Sequence, residues 1–290
     1  MKTFKKFAIA TLAAAAFAGC SSAGDSKTDS TASTSSAAAD GELTVIKVGA
    51  TTSPHGKILE EAKELMKEKG YDLQITEFSD YPNINPSTSD GSLDANYFQH
   101  EVYLNGYNAD SNLESGDEGY LVSAGGIHYE PLGIYSEKHT KDEEPAEGAQ
   151  IIIPNDATNE ARALLLLQDQ GWITLKEGAD LNTATIHDIE SNPKNLEIVE
   201  IAADQEADKL PDVDYAILNG NYALTSNVTD YLLVTEAADS DAAKTYVNII
   251  AVREDKKDDE GIKALVDVLK SDHIKQYITD EFGAFAVPAE

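Results

Sequence analysis

The fold is decided by a segment that reads Ile151-Ile-Ile-Pro-Asn-Asp-Ala-Thr-Asn-Glu-Ala-Arg-Ala-Leu-Leu-Leu-Leu-Gln168. Its apolar start predicts a buried strand, and the residues that follow predict a helix that opens with Asn159 and Arg162. A helix N-terminus offers unpaired N–H groups and a partial positive charge. Because residues three apart share one helical face, Asn159 and Arg162 could hold one small anion together. The alternative is that Arg162 forms a surface ion pair with a neighbouring acid.

Strand and helix signals alternate on both sides of this segment. Residues 43–50 read as a strand, 54–70 as a helix and 71–78 as a second strand. Further strand signals are found at 196–201, 215–218 and 247–252, and a further helix signal at 260–269. This alternation predicts an α/β fold with mostly parallel sheets, whose ligands bind beyond the carboxyl ends of the strands.

Polar and aromatic side chains are found where the predicted strands end. The segments are 78–81, 94–103, 155–162 and 219–222. Their aromatic rings would give a ligand pocket apolar walls, against which a thioether packs well. Arg162 and Asn159 would hold a carboxylate, and Asn219 can accept from an ammonium through its side-chain oxygen. These residue types predict a site for a small amino acid.

Each candidate residue also has a purely structural interpretation. Tyr81, Phe98 and Tyr103 could be core aromatics, and the dipeptide that begins at Asn219 is a common turn. His100 and His128 could be structural histidines, because neither has a His, Cys or carboxylate partner at the spacing of known metal motifs. We therefore expect no metal site and no cofactor.

The N-terminus predicts export and lipid anchoring. Lysines precede an apolar stretch at 7–17 that is shorter than the roughly 18 residues needed to span a bilayer, so residues 1–19 read as a signal peptide. Cys20 is the only cysteine and follows two small residues, as in the lipobox of bacterial lipoproteins, where the cysteine is acylated. Residues 20–42 lack large apolar side chains and predict a lipidated flexible tether. We expect a protein on the extracytoplasmic face of the cell membrane.

Composition excludes some classes of function. The chain has 22 basic and 52 acidic residues and a formal net charge of −30, which argues against binding nucleic acid or anionic lipid head groups. It contains no Gly-x-Ser-x-Gly elbow and no glycine-rich phosphate loop, so we do not expect an enzyme. The body from residue 43 onward is about 250 residues long, enough for two lobes, and is expected to be a monomer.

Five segments carry a resemblance to a known family. They read Asp94-Ala-Asn-Tyr-Phe-Gln-His100, Pro154-Asn-Asp-Ala-Thr-Asn-Glu-Ala-Arg-Ala-Leu-Leu-Leu-Leu-Gln168, Asn192-Pro-Lys-Asn-Leu196, Ala216-Ile-Leu-Asn-Gly-Asn-Tyr-Ala223 and Tyr246-Val-Asn-Ile-Ile-Ala-Val-Arg-Glu-Asp255. They resemble the methionine-binding lipoprotein family, the substrate-binding components of methionine ABC importers. The resemblance implies a two-lobed, Venus-flytrap fold of the periplasmic-binding-protein type. Lobe 1 would comprise residues 43–131 plus 247–290, and lobe 2 residues 132–246.

The resemblance also implies a ligand and a set of contacts. The ligand would be L-methionine or a close relative, delivered to a permease and an ATPase in the membrane. The implied contacts are Arg162 and Asn159 to the carboxylate, Asn219 to the amino-acid backbone, and Tyr81, Phe98 and Tyr103 around the thioether, with His100 beside them. His128 lies in a segment that leads into the crossover between lobes, and its role stays open.

Two departures from the family pattern leave alternatives for the ligand. Ala157 stands where proline is common, and the segment Asn83-Ile-Asn-Pro-Ser87 is unusual before the Asp94 motif. The second departure could reshape the mouth of the pocket. A methionine-containing dipeptide or another amino acid such as glutamine is therefore an alternative ligand, and a surface adhesin without a small ligand is an alternative class.

Overall fold

The structure is a computed structural model that describes residues 43–180, 182–237 and 244–289. The predicted signal peptide and the whole of the predicted tether, including Cys20, lie outside these ranges. None of the helices in the described ranges combines the length and the apolar composition needed to cross a membrane.

The described residues contain thirteen short strands. They are β1 (Thr44–Thr51), β2 (Tyr71–Phe78), β3 (Ala95–His100), β4 (Leu121–Tyr129), β5 (Gly133–Tyr135), β6 (Gln150–Pro154), β7 (Thr174–Leu175), β8 (Ile189–Ser191), β9 (Glu197–Ile201), β10 (Tyr215–Leu218), β11 (Leu232–Thr235), β12 (Val247–Arg253) and β13 (Val287–Pro288).

The α-helices connect these strands. They are α1 (Lys57–Glu68), α2 (Ile84–Ser89), α3 (Glu101–Asp110), α4 (Ala157–Asp169), α5 (Ala203–Lys209), α6 (Gly220–Thr225), α7 (Glu260–Leu269) and α8 (Asp272–Phe282). A turn of π-helix precedes α1 at Thr52–Gly56, and 3₁₀ turns lie at Ile186–Asp188, Thr229–Tyr231, Glu254–Lys256 and Gly283–Phe285. The strands and helices predicted from hydrophobic periodicity are confirmed to within about three residues at their ends.

Two larger sheets organise the described residues. The first has six strands in the order β13-β4-β12-β3-β1-β2, and the second has five strands in the order β11-β5-β10-β6-β9. Helices α1, α7 and α8 pack with β1 and β3 of the first sheet in one hydrophobic core cluster. In the second sheet, Ile151 and Ile153 of β6 pack with Leu164 and Leu167 of α4. Strand β6 and helix α4, which come from the segment 151–168, therefore pack together in the hydrophobic core of the second sheet.

The two-lobed α/β class is confirmed, but the sheets are mixed rather than mostly parallel. Strand β1 runs parallel to β2 and β3, and β6 runs parallel to β9 and β10. Strand β12 is antiparallel to β3 and β4, and β5 is antiparallel to β10 and β11. Both β5 and β12 are the first strands after the chain passes from one sheet to the other. They lack the helical crossover that makes consecutive strands parallel.

The strands of the first sheet come from residues 44–129 and 247–288, and those of the second from residues 133–235. The chain therefore passes between the sheets twice, once after β4 and once before β12. The exact lobe boundaries given above stay a prediction.

Candidate functional site

The N-terminus of α4 is capped by the chain's own carboxylate. Asp156 Oδ1 accepts from the backbone N–H of Asn159 at 3.0 Å and from the hydroxyl of Thr158 at 3.1 Å. Burial raises the pKa of Asp156, although the N–H of Asn159 acts in the opposite direction. An N-cap carboxylate is favourable at this end of a helix. A ligand anion at the first turn would therefore have to compete with Asp156, a competition that the sequence pattern did not predict.

Arg162 is buried, with 2 % of its surface exposed, and is already paired. Its Nε donates to Glu236 Oε1 at 2.8 Å, and its Nη2 donates to Glu236 Oε2 and, at 2.8 Å, to the carbonyl oxygen of Glu130. The guanidinium lies over the ring of Tyr246 at 4.4 Å from the ring centroid, within cation–π distance. The hydroxyl of Tyr129 also hydrogen-bonds with this guanidinium, so Arg162 has protein partners on several sides.

Three predicted polar residues form a short chain of hydrogen bonds. Asn219 Nδ2 donates to Asn159 Oδ1 at 3.0 Å, and His100 Nε2 lies 3.5 Å from the same oxygen. Asn159 Nδ2 donates to both carboxylate oxygens of Asp156, at 3.0 and 3.1 Å. In this arrangement Asn159 orients Asn219. Asn219 Oδ1 is buried and has no donor among the described residues.

His100 is neutral in this chain. Its Nδ1 accepts from the backbone N–H of Tyr103 at 3.1 Å, which leaves the proton on Nε2, facing Asn159. Burial and, to a lesser extent, the charge of Arg162 lower the pKa of His100 to about 3. The ring of Tyr246 lies 4.9 Å from that of His100 and also covers Arg162. Tyr246 therefore contacts both Arg162, the predicted cation, and His100.

The predicted aromatic residues form one cluster. The ring centroids of Tyr81, Phe98 and Tyr103 lie 5.5 to 5.8 Å apart, in tilted or edge-to-face pairs. Tyr222, which the sequence did not single out, lies 4.9 Å from Tyr81. The hydroxyl of Tyr81 donates to Asn221 Oδ1 at 2.6 Å. The cluster thus joins residues that follow β2 and β10 with the end of β3.

Five of the seven predicted ligand residues line one small cavity. Its lining residues are Tyr81, Phe98, Gln99, His100, Tyr103 and Asn159, and its volume is about 20 Å³. A groove of about 340 Å³ shares Tyr81 and Tyr103 with it and runs along the N-terminus of α4. Ligand pockets usually measure about 300–1,000 Å³, so an amino acid needs the aromatic cluster to open toward this groove. Neither Arg162 nor Asn219 is among the residues that line these two spaces.

A second buried cluster lies next to the site, and the sequence did not predict it. Glu130 Oε1 accepts from His128 Nε2 at 2.8 Å and lies 3.2 Å from His55 Nε2. The hydroxyl of Tyr97 donates to His128 Nδ1. We call His55, His128 and Glu130 the histidine–glutamate cluster. The spacing of His128 and Glu130 could have indicated the pair, but nothing local indicates that His55 joins them.

The three side chains of this cluster are of types that bind metal ions, and their nearest ligand atoms lie within 4.8 Å of one another. Hydrogen bonds account for the arrangement without a metal. Burial lowers the pKa of His55 to about 4 and that of His128 to about 3, so both rings are neutral, and His128 donates its N–H to the carboxylate. His55 Nδ1 accepts from the hydroxyl of Thr51 at 2.7 Å, which leaves its Nε2 proton for Asn248 Oδ1 at 2.9 Å.

Comparison with known proteins places this fold and site in context. A sequence model of the family described as NlpA lipoprotein matches residues 46–290. The methionine-binding lipoprotein MetQ of Bacillus subtilis (strain 168) is 38% identical over 245 residues, which cover 84% of this chain and 87% of that protein.

Two solved structures have the same fold. A lipoprotein from Ruminococcus gnavus ATCC 29149 is 50% identical, with a TM-score of 0.81, and the match covers 86% of this chain and all 100% of that one. A nutrient binding protein from Burkholderia cenocepacia, solved bound to methionine, is 38% identical, with a TM-score of 0.78, and the match covers 84% of this chain and 100% of that one.

Proposed function

Because the chain belongs to the NlpA lipoprotein family, we propose that it binds methionine between two lobes and delivers it to an ABC importer. A relative of 38% identity is named as a methionine-binding lipoprotein, and a structure of 38% identity was solved with methionine bound. These names describe binding proteins, which fits a chain that takes up its ligand and releases it unchanged.

The apolar end of the ligand would lie in the aromatic cluster. Tyr81, Phe98 and Tyr103 present ring faces and edges at centroid distances of 5.5 to 5.8 Å. A thioether is polarizable and gains about 0.3–1.5 kcal/mol from contact with an aromatic ring. His100 is neutral and adds a ring without a charge. A charged side chain would be poorly solvated here, so the walls favour methionine over acidic and basic amino acids.

The polar end of the ligand would lie toward Asn219 and Arg162. Asn219 Oδ1 is a buried acceptor that an α-ammonium group can satisfy, and Asn159 holds it in place through a 3.0 Å hydrogen bond. The guanidinium of Arg162 would donate to the α-carboxylate. Glu236 neutralises Arg162, so the two residues together add no net charge, and the ligand is a zwitterion whose own charges also cancel.

The observation that carries the proposal is the joint lining of one cavity. Tyr81, Phe98, His100, Tyr103 and Asn159 come from three separate segments of the sequence and meet around it. Asn219 contacts Asn159 directly behind this lining. Apolar walls beside unpaired polar atoms are typical of a small-ligand site.

Titration calorimetry with a panel of ligands tests the proposal. The panel contains L-methionine, D-methionine, a methionine-containing dipeptide, glutamine and glutamate. We expect L-methionine to bind with one site per chain, and glutamate to give no heat because its second carboxylate would be buried among the rings. Mass spectrometry of the supernatant after denaturation checks for ligand carried through purification.

Each other outcome identifies a different function. Tighter binding of the dipeptide or of glutamine would replace methionine as the ligand but keep the class of protein. Chemical conversion of the ligand during the titration would indicate an enzyme. No heat with any amino acid or peptide would favour an adhesin and contradict the proposal.

Delivery to a transporter requires a position at the membrane. We propose that a lipid on Cys20 holds the protein at the extracytoplasmic face, where a permease and an ATPase form the importer. Lipoprotein relatives support this position. Cys20 itself lies outside the described residues.

A further inference from the structure

The carboxylate of Glu130 contacts both larger sheets. On one side it accepts from His128 of β4 at 2.8 Å and lies 3.2 Å from His55, which precedes α1. On the other side it accepts from the backbone N–H of Asn221, in the helix that follows β10. Glu130 itself lies between β4 and β5, where the chain passes from the first sheet to the second.

The backbone of Glu130 contacts the proposed carboxylate-binding residue. Its carbonyl oxygen accepts from Arg162 Nη2 at 2.8 Å. The side chain and the carbonyl of one residue thus hold two different parts of the site. The Asn219–Asn221 turn is held by the side chain, and the Arg162 guanidinium by the carbonyl.

The turn that carries Asn219 lies directly against this carboxylate. A Cβ atom at Gly220 would lie 2.9 Å from Glu130 Oε2, closer than real side chains approach. The absence of a side chain at residue 220 therefore lets the backbone N–H of Asn221 reach Glu130. Asn219, the residue before this glycine, presents its free Oδ1 acceptor to the ligand side.

The histidines make Glu130 an unusually constrained acceptor. Both rings are buried and neutral, because burial lowers the pKa of His55 to about 4 and that of His128 to about 3. His128 donates to Glu130 Oε1, and His55 Nε2 lies 3.2 Å from the same oxygen, so the carboxylate cannot rotate without losing a buried hydrogen bond and this close contact. Together, the N–H groups of His128 and Asn221 fix the position of the carboxylate more firmly than a single partner would.

Resting on the proposed function, we propose that Glu130 is a positioning residue of the amino-acid site, which sets Asn219 and Arg162 in the arrangement that binds the ligand. It does not contact the ligand itself. Its carboxylate fixes the turn after β10, and its carbonyl fixes the fork of Arg162. His55 and His128 hold the carboxylate in place.

A double-mutant cycle between Glu130→Gln and Asn219→Ala tests this role. An amide has one acceptor oxygen and two N–H donors, so glutamine offers fewer acceptor positions to His128 and to the N–H of Asn221 than the carboxylate of Glu130 does. We expect Glu130→Gln to raise the Kd for methionine at least tenfold. In the Asn219→Ala background, Glu130→Gln should raise the Kd less than threefold, because the turn no longer presents the Oδ1 acceptor of Asn219.

A matched control separates positioning from general stability. Glu206 is also fully buried, and its carboxylate has no partner among the described residues. Glu206→Gln is the same chemical change at a position without contact to Asn219 or Arg162, and it should change the Kd less than twofold. Where Glu130→Gln fails to fold, Glu130→Asp takes its place in the cycle. The aspartate side chain keeps the negative charge beside the histidines but is too short to reach the backbone N–H of Asn221.

Several outcomes would overturn the role of Glu130. Equal Kd values for the wild type and for Glu130→Gln would do so, as would an effect of the same size in both backgrounds. Stabilisation by one equivalent of Zn²⁺ that Glu130→Gln abolishes would make Glu130 a metal ligand instead. A wild type that binds no amino acid would overturn the proposed function as well. If the wild type binds methionine and Glu130→Gln has the same Kd, only the positioning role is overturned.

Discussion

Arg162 and Glu236 form a buried ion pair across 74 residues of sequence, with Nε donating to Oε1 at 2.8 Å. Glu236 also accepts from the hydroxyl of Tyr129 at 2.6 Å and from the backbone N–H of Leu132 at 2.9 Å. The carboxylate is therefore well satisfied, as a buried charge requires. The pair fixes the plane of the guanidinium, with which the hydroxyl of Tyr129 also hydrogen-bonds.

Loss of Arg162 should remove most of the affinity for methionine. We expect Arg162→Ala to cost about 2–5 kcal/mol of binding free energy, because the ligand carboxylate would stay buried without a cation. The change also leaves Glu236 unpaired, so it is made together with Glu236→Gln. Titration calorimetry compares the double variant with Glu236→Gln alone. Equal affinity of these two proteins would show that Arg162 does not hold the ligand.

Asn219→Ala should weaken binding without harming the fold. Loss of one hydrogen bond to an ammonium group should raise the Kd about tenfold, or about 1.4 kcal/mol. The control is Asn105→Ala, an exposed asparagine on α3. Calorimetry gives the Kd, and thermal denaturation gives the stability of both variants. If both leave the Kd unchanged, Asn219 serves only in the turn that follows β10.

Glu206→Gln should stabilise the protein at neutral and alkaline pH. Burial raises the pKa of Glu206 well above its ordinary value of 4.5, and the charges of Asp156 and Asp204 raise it further. Above pH 4.5 the unfolded chain releases this proton while the folded chain keeps it. The free energy of unfolding therefore falls as the pH rises toward the folded pKa. At pH 8 the variant should be more stable by about 1–3 kcal/mol.

Urea denaturation at pH 5 and at pH 8 measures this effect. The control is Glu197→Gln, an exposed glutamate of β9. The difference between the variant and the wild type should grow with pH for Glu206 and not for Glu197. A difference that is the same at both pH values would mean that Glu206 ionises normally.

Cys20→Ser should release the protein from the membrane. Serine cannot form the thioether that carries the lipid of a bacterial lipoprotein. Fractionation followed by immunoblotting should find the variant in the soluble fraction and the wild type with membranes. Ser21→Ala, one residue further on, is the control and should stay with membranes. A Cys20→Ser protein that also stays there would mean that another part of the chain is the anchor.

Much of the fold was predictable because its signals are local. The apolar run 151–153 followed by a helical pattern identified β6 and α4, and each packs against the other in the core as expected. The order of strands was not predictable. Strand β12 inserts between β3 and β4, and no local pattern records which strand lies beside which. For the same reason the sequence did not indicate the antiparallel pairs.

The aromatic and amide residues of the site were identified from their positions near strand ends. Tyr222, Tyr246 and Gln99 were missed, although all three lie in segments that carried the family resemblance. A tyrosine near a strand end is equally consistent with a core residue. Only the ring distances separate these interpretations.

The sequence by itself determined the residues that a small amino acid needs: aromatic rings, amides and one cation near the ends of strands. It also determined the family, through motifs that are long and contiguous. The tertiary structure decided which of 52 acidic residues lies against Arg162, and that Glu130 is held between two histidines. Charge pairing depends on distance in space rather than in sequence. That distance was set when the two sheets brought residues 130, 162 and 236 together.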